Sequence, residues 1–174
     1  EKGVLSLVKA WLKWGKKAPE LRIIGDGPLR KELERLADAE PKVLIKILGQ
    51  LPSREAHRII ANARLLVLPS ECFEGFPMVI REAFAFGTPV AASNIGPLPS
   101  IVKDGLNGLI FEPANPESLE KVVKAAWDMP GLLEKLSYGA RFSFEKNYTA
   151  GKNYLMLLKI YEQAIEFNNA KRRQ

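Results

Sequence analysis

The sequence predicts an α/β fold in which a doubly wound, mostly parallel sheet carries helices on both faces. Five short apolar runs alternate with stretches of helical apolar spacing, a pattern typical of βαβ units. The runs are apolar almost throughout rather than at every second position, as expected of strands covered on both sides. With 174 residues, 47% of them apolar, the chain can bury one core without disulfides or metal.

Strands are predicted where the apolar runs are bounded by glycine, proline or asparagine, and helices where apolar residues recur every three or four positions. The predicted strands cover residues 21–24, 43–48, 65–68, 89–92 and 108–111. The predicted helices cover residues 3–14, 29–38, 54–63, 77–86, 131–146 and 150–167. A further helix is predicted to begin at Pro116, with Asn115 as its N-cap.

The two ends of the chain suggest neighbours outside it. The chain begins on a predicted helix, whereas a doubly wound sheet is expected to begin with a strand, so we expect one strand before residue 1. At the other end, the helix at 150–167 places Tyr154, Leu158 and Ile165 on one face, while Leu155 and Ile160 lie off that face. This distribution predicts contact with a second body.

Composition excludes several classes of function. The net charge of +6 does not indicate nucleic-acid binding, because most basic residues alternate with acids on predicted helices. The basic cluster at 171–173 is interpreted as a solvated tail, with contact to a phosphate-rich surface as the alternative. Cys72 is the single cysteine, which favours a reducing compartment. His57, the single histidine, is predicted to be exposed rather than catalytic, and no zinc site is predicted.

Ligands of open α/β sheets bind beyond the carboxyl ends of the strands. The candidate loops are therefore 25–28, 49–54, 69–77 and 93–100. The first begins Gly-x-Gly, but Arg30 stands where a dinucleotide-binding motif has its third glycine. This loop is interpreted as a tight turn, and a nicotinamide-dependent dehydrogenase is disfavoured.

The loop at 69–77 is chemically the richest of the four. It runs into a predicted helix with Pro77 at its start, so the free backbone N–H groups of Met78 and Val79 favour an anion such as phosphate. Gly75 lets a ligand approach the backbone closely.

Two carboxylates flank this helix start. Glu74 precedes the helix and Glu82 lies inside it, and a carboxylate accepts hydrogen bonds from the vicinal hydroxyls of a ribose or a hexose. By spacing alone, a helix-dipole role for Glu74 and a plain surface role for Glu82 are equally supported.

The segment Glu74–Glu82, E-G-F-P-M-V-I-R-E, stands among shorter motifs in a fixed order. These are Glu1-Lys2-Gly3, Gly25-Asp26-Gly27-Pro28, Pro69-Ser70, Gly87-Thr88-Pro89-Val90-Ala91 and Ile101-Val102-Lys103-Asp104-Gly105-Leu106-Asn107-Gly108. In this order and spacing, over nearly the whole chain, they resemble the retaining GT-B glycosyltransferases of group 1 (family 4), which include glycogen and sucrose synthases.

The resemblance implies the C-terminal, donor-binding half of a GT-B architecture that lacks its first strand. Residues 1–149 would form a Rossmann-like nucleotide-sugar-binding domain. Residues 150–174 would form a helix and basic tail that pack on it or on the N-terminal domain.

The resemblance also implies roles for individual residues. Glu74 would bind hydroxyls of the transferred sugar, and Lys2 would neutralise the diphosphate leaving group, so both are expected to be catalytic. Glu82 would hold the ribose. The other residues expected to bind the donor are Ser70, Gly75, Phe76, Met78, Val79, and Gln50 and Leu51 beside the base. The family's arginine before the lysine is missing, and Ser100 stands where a glutamate is common.

The activity implied is transfer of a hexosyl group from a nucleotide-diphosphate sugar to a glycan, lipid or small-molecule acceptor, without metal or other cofactor. The expected partners are the donor and an N-terminal domain of the same protein, with peripheral membrane contact as a further expectation, in the cytoplasm or at the inner membrane surface. The chain by itself is expected to be inactive. The alternatives are a nucleotide-sugar epimerase, a phosphorylase-like enzyme, or a catalytically silent interaction domain.

Overall fold

The computed structural model describes residues 1–171. The elements follow the order α1 (Val4–Trp14), β1 (Leu21–Ile24), α2 (Arg30–Ala39), β2 (Ile45–Gly49), α3 (Ser53–Ala61), β3 (Leu66–Leu68), α4 (Met78–Ala85), β4 (Val90–Ser93), α5 (Leu98–Ile101), β5 (Gly108–Phe111), α6 (Pro116–Asp128), α7 (Leu132–Asn147) and α8 (Ala150–Lys171). Every predicted strand and helix is present, with ends shifted by a few residues. The short helix α5 was not predicted. The N-cap prediction is confirmed, since Asn115 Oδ1 accepts a hydrogen bond from Ser118 N at 2.9 Å.

All strand pairs among the described residues are parallel, but they form two hydrogen-bonded groups rather than one. β1 pairs with β2, while β4 lies between β3 and β5. Doubly wound sheets of this type have the strand order 3-2-1-4-5-6. The two groups, β1-β2 and β3-β4-β5, can each occupy neighbouring positions of this order.

Helices cover both faces of the sheet, as predicted. The alternation along β4 shows this directly, because Ala91 packs in the cluster formed mainly by α1 and α6. Val90 and Ala92 pack in the opposite cluster, with residues of α4 and α5. Successive side chains of a strand point to opposite faces, so β4, whose residues are all buried, is the centre of both cores.

Buried polar side chains account for two of the motifs. Thr88 is 2% exposed, and its Oγ1 donates a hydrogen bond to Ile60 O at 2.8 Å. The Asn107 amide bonds Lys103 N, Ile101 O and Ser143 Oγ. Both side chains satisfy backbone groups that burial would otherwise leave unpaired. These parts of the sequence pattern therefore stabilise the scaffold.

Helix α8 differs from the other long helices because its described side chains, residues 150–169, are all exposed. The large apolar ones are Tyr154, Leu155, Met156, Leu157, Leu158, Ile160, Tyr161, Ile165 and Phe167. No helix among residues 1–171 combines the length and apolarity needed to cross a bilayer. The division at residue 150 stays a prediction, and Arg172 and Arg173 of the basic tail lie outside the described residues.

Two helical glycines provide a matched test of the packing. A Cβ at Gly139 would lie 1.8 Å from Leu106 O, whereas a Cβ at Gly151 would meet nothing within 4 Å. We expect Gly139→Ala to lower the free energy of unfolding by about 1–3 kcal/mol, as overpacking does. Gly151→Ala should leave it unchanged or raise it by up to about 1 kcal/mol, because alanine is the better helix former. Urea unfolding followed by circular dichroism measures both, and equal values for the two variants would contradict the close approach of α7 to residue 106.

Candidate functional site

The first three residues are bound to the loop that follows β3. Glu1 O accepts a hydrogen bond from Glu71 N at 2.8 Å. Gly3 has a φ of +66°, and a Cβ there would lie 1.7 Å from Pro69 O. A side chain at residue 3 would therefore collide with backbone, and only glycine lets this segment lie against the loop. The contact places Lys2 beside residues 70–74.

Lys2, Ser70 and Glu74 form one polar cluster at the carboxyl end of β3. Lys2 Nζ donates to Glu74 Oε1 at 2.6 Å, and Ser70 Oγ donates to the same oxygen at 2.8 Å. Ser70 is completely buried, while the side chains of Glu74 and Lys2 are 15% and 65% exposed. The carboxylate is thus held by a buried hydroxyl and by a largely exposed ammonium group. Both donors bind Oε1, and no hydrogen bond to Oε2 occurs within residues 1–171.

The contact also changes the pKa values of the pair. The hydrogen bond from Lys2 is the main reason that the pKa of Glu74 lies below its ordinary value of 4.5, and the Ser70 hydroxyl acts in the same direction. The same hydrogen bond raises the pKa of Lys2 above 10.5. Both groups are therefore ionised at neutral pH.

Helix α4 begins directly after this cluster. Pro77 is its N-cap and Met78 its first residue. The N–H of Ile80 bonds Pro77 O at 3.1 Å, but the N–H groups of Met78 and Val79 have no acceptor within a helix that starts here. Their donors and the helix dipole give this end of α4 a partial positive charge close to Glu74.

Gly75 and Phe76 connect the cluster to the helix. Gly75 is exposed, and a Cβ there would meet nothing within 4 Å. The Phe76 ring lies 5.5 Å from the Tyr148 ring at the end of α7. This aromatic contact joins the loop to the end of α7, while the backbone at Gly75 remains exposed.

Glu82 lies one turn further along α4 and has an unexpected neighbour. Its Oε1 is 3.6 Å from Nε2 of His57 on α3, and the two side chains are 31% and 39% exposed. The His57 ring also packs 5.7 Å from the ring of Phe86. His57 was predicted to be exposed rather than catalytic, and its side chain is indeed partly exposed; its position beside Glu82 was not predicted. Spacing along the chain gave no signal for this contact, because it joins two different helices.

Gln50 and Leu51 follow β2 at the same edge of the sheet. Gly49 has φ +69° and lies against the guanidinium group of Arg30. A Cβ built at Gly49 would be 2.9 Å from Arg30 Nη1. Arg30 also pairs with Asp26 at 2.9 Å, so the loops after β1 and β2 are joined. Among the described residues, no hydrogen bond or ion pair connects Gln50 or Leu51 to the Lys2–Glu74 pair.

The prediction of a tight turn at residues 25–28 agrees with the geometry. Gly25 has φ +129°, and the N–H of Gly27 donates to Asp26 Oδ1 at 2.8 Å. The Asp26 carboxylate is therefore already bound by its own loop and by Arg30.

A parallel sheet with a helix start and a lysine–carboxylate pair at its carboxyl edge is the arrangement at which open α/β sheets usually carry their ligand sites. Comparison with known proteins identifies the family to which this α/β domain belongs. Residues 1–142 match the family described as glycosyl transferases group 1, and the chain belongs to that family.

Individual relatives agree with this membership. The chain is 32% identical over 142 residues to an uncharacterized glycosyltransferase of Methanocaldococcus jannaschii, an alignment covering 82% of this chain and 40% of that protein. A solved glycosyltransferase from Rickettsia africae superposes with a TM-score of 0.84 at 23% identity, over 94% of this chain and 45% of that one. Anabaena HepE, crystallised with UDP-glucose, gives 0.76 at 22% identity, over 97% and 45%. The chain thus spans less than half the length of these proteins, and its fold is that of the C-terminal half of a GT-B architecture, as predicted.

The Lys2–Glu74 contact can be tested without any ligand. The pKa of Glu74 is lower in the folded chain than in the unfolded chain. Ionised Glu74 therefore stabilises the fold at pH values above its pKa in the unfolded chain. This stabilisation is lost as the pH falls through the pKa of Glu74 in the folded chain. In the Lys2→Gln variant we expect the pKa of Glu74 to rise toward 4.5. The variant should also lose less stability in acid than the unaltered chain. This difference should be below about 1 kcal/mol, because Lys2 is mostly exposed.

Carbon-13 NMR titration of the Glu74 carboxyl measures the change in pKa. Lys13→Gln is the matched control, because Lys13 pairs with Glu117 at 3.0 Å elsewhere on the surface. Lys13→Gln should leave the Glu74 titration curve unchanged. If Lys2→Gln also left it unchanged, the ion pair between Lys2 and Glu74 would be refuted.

Proposed function

We propose that this chain is the donor-binding part of an enzyme that transfers a hexosyl group from a nucleotide-diphosphate sugar to an acceptor. The Lys2–Glu74 pair at the start of α4, with Nζ and Oε1 2.6 Å apart, is the observation on which the proposal rests. Membership of the group 1 family supports the reaction class. The UDP-glucose bound by the structurally similar HepE supports the donor class. Retention of configuration and independence of metal ions are part of the proposal.

The diphosphate is proposed to lie at the start of α4. There the N–H groups of Met78 and Val79 can donate to its oxygens, and Lys2 can supply a positive charge from the other side. When the bond between the anomeric carbon and the diphosphate oxygen breaks, its electron pair stays on that oxygen. Fixed donors and a nearby ammonium group stabilise the developing charge more in the transition state than in the ground state. Lys2 and the helix start would therefore take the place of a metal ion.

The transferred sugar is proposed to lie against Glu74. Its Oε1 is bound by Ser70 and Lys2, which leaves Oε2 to accept hydrogen bonds from sugar hydroxyls. Ser70 would act as a positioning residue, because its buried hydroxyl fixes the carboxylate. The exposed backbone at Gly75 and Phe76 lies between sugar and diphosphate in this arrangement.

The nucleoside is proposed to lie further from the reacting bond. Glu82, one turn along α4, would accept hydrogen bonds from the ribose. Gln50 and Leu51, after β2, would lie against the base. In this arrangement one carboxylate binds each sugar of the donor, and the positive end of α4 lies near the diphosphate between them.

A second domain of the same protein is proposed to complete the enzyme. The matched proteins are more than twice as long as the region they share with this chain. Exposed apolar residues occur all around α8, and a helix with apolar residues on every side is normally buried. We propose that the N-terminal domain packs against α8 and contains the acceptor site. Location in the cytoplasm and peripheral membrane contact of the basic tail are further parts of the proposal.

The donor is tested with a panel of UDP-, GDP- and ADP-sugars bound to the complete protein and followed by calorimetry. We expect one base to be preferred, because only one of them can match the groups after β2.

The 174-residue chain by itself should give no transfer product, and turnover by it would show that no second domain is needed. Failure of the complete protein to bind any of the nucleotides would favour a silent interaction domain. Conversion of the donor without an acceptor would favour an epimerase.

The role of Glu74 is tested by substitution in the complete protein. We expect Glu74→Ala to lower kcat/KM by about 100-fold or more, because the transferred sugar loses its positioning contact. Glu117→Ala is the matched control, since it also removes the acid of a lysine–glutamate pair, and it should retain full activity. Circular dichroism establishes that both variants are folded. Unchanged kinetics for Glu74→Ala would show that the site is assigned incorrectly.

A further inference from the structure

His57 lies between two side chains of α4 that share one face of the helix. Glu82 and Phe86 are four residues apart and therefore neighbours on the helix surface. The imidazole packs beside the Phe86 ring, with centroids 5.7 Å apart and planes inclined at 54°. Its Nε2 lies 3.6 Å from Glu82 Oε1. The apolar contact orients the ring so that one nitrogen faces the carboxylate.

We propose that His57 is a positioning residue that holds the Glu82 carboxylate in the orientation that binds the ribose of the donor. This inference rests on the proposed function, since it refines how the same site recognises its nucleotide. A glutamate that is about one-third exposed on a helix surface samples several rotamers, and binding a diol with both oxygens requires one of them. A neighbour that favours that rotamer before binding reduces the ordering needed when the ligand arrives.

The chemistry of the two groups defines the contact. A carboxylate accepts hydrogen bonds only, so His57 can hold Glu82 only through a hydrogen on Nε2, which the charged imidazole and one of the two neutral tautomers carry. The distance of 3.6 Å is longer than a formed hydrogen bond, so in the proposed contact the two side chains move closer together. With His57 bound to Oε1, the other oxygen and the remaining lone pair of Oε1 stay available to the ribose.

The charged surroundings of His57 come from both packed helices. Arg54, Glu55 and Arg58 lie on α3 itself, and Arg81 and Glu82 lie on α4. Among the described residues, Glu82 is the acid within 4 Å of the imidazole. The Glu82 carboxylate is therefore the group on which a hydrogen at Nε2 acts.

The experiment measures how strongly the complete protein prefers a ribonucleotide over its 2′-deoxy form. The probes are UDP and 2′-deoxy-UDP, or the corresponding GDP or ADP pair if the donor panel selects that base. We expect the unaltered protein to bind the ribonucleotide about 10-fold more tightly, the scale of one hydrogen bond to a charged group. His57→Leu retains an apolar contact with Phe86 but has no N–H donor. It should lose most of this preference while its affinity for the deoxynucleotide stays within about 2-fold, because that ligand lacks the missing contact.

Two further variants separate positioning from folding. His57→Gln places an amide N–H near Glu82 and should restore most of the preference, whereas a purely structural role would not distinguish it from His57→Leu. Glu55→Ala is the matched control, because its exposed side chain lies two positions away on α3 and points to the other side of the helix. It should leave both affinities unchanged. If His57→Leu does not fold, His57→Ala is measured in the same way.

The outcomes distinguish this inference from the proposed function. If the unaltered protein binds the nucleotide but shows no preference for the ribose hydroxyl, the ribose role of Glu82 in the proposed function is wrong. If the preference is present and His57→Leu keeps it in full, positioning by His57 is overturned while the proposed function stands.

Discussion

The site depends on one close backbone contact, the approach of Gly3 to the carbonyl of Pro69. A Cβ at residue 3 would lie 1.7 Å from that oxygen, so every other residue type would push the start of α1 away from the loop after β3. With glycine there, and with Glu1 O bound to Glu71 N, the Lys2 side chain reaches Glu74. Two segments about seventy residues apart in sequence thereby supply the cation and the anion of one cluster.

The scaffold under this contact is rigid where the site needs it to be. β4 is buried on both faces, and α4, which packs against it through Ile80 and Phe84, presents its first turn at the carboxyl edge of the sheet. Ser70 is fixed by burial, whereas Lys2 is mostly exposed.

Most of the fold was predictable from the sequence, because its signals are local. Apolar runs bounded by glycine and proline located all five strands, and Asn115 before Pro116 located the start of α6. The division of hydrogen bonding between β1 and β3 was not predictable in detail, since pairing depends on which strands lie side by side. Helix α5 was missed because its four residues are too few for an apolar period. The neighbours of His57 were not predicted, because Glu82 lies on a different helix and Phe86 at the end of that helix.

The sequence by itself determined the chemistry available at the site. It placed Glu74, Gly75 and Pro77 at a helix start, where unpaired N–H groups favour anions, and its motif order indicated the family. Only the tertiary structure decided which groups meet: Lys2 with Glu74, Ser70 with the same oxygen, Thr88 with Ile60 O, and His57 with Glu82. Backbone preferences act within a few residues and can be read along the chain. A hydrogen bond or ion pair between distant residues requires two elements to pack at one distance and angle, and that is fixed only when the core closes.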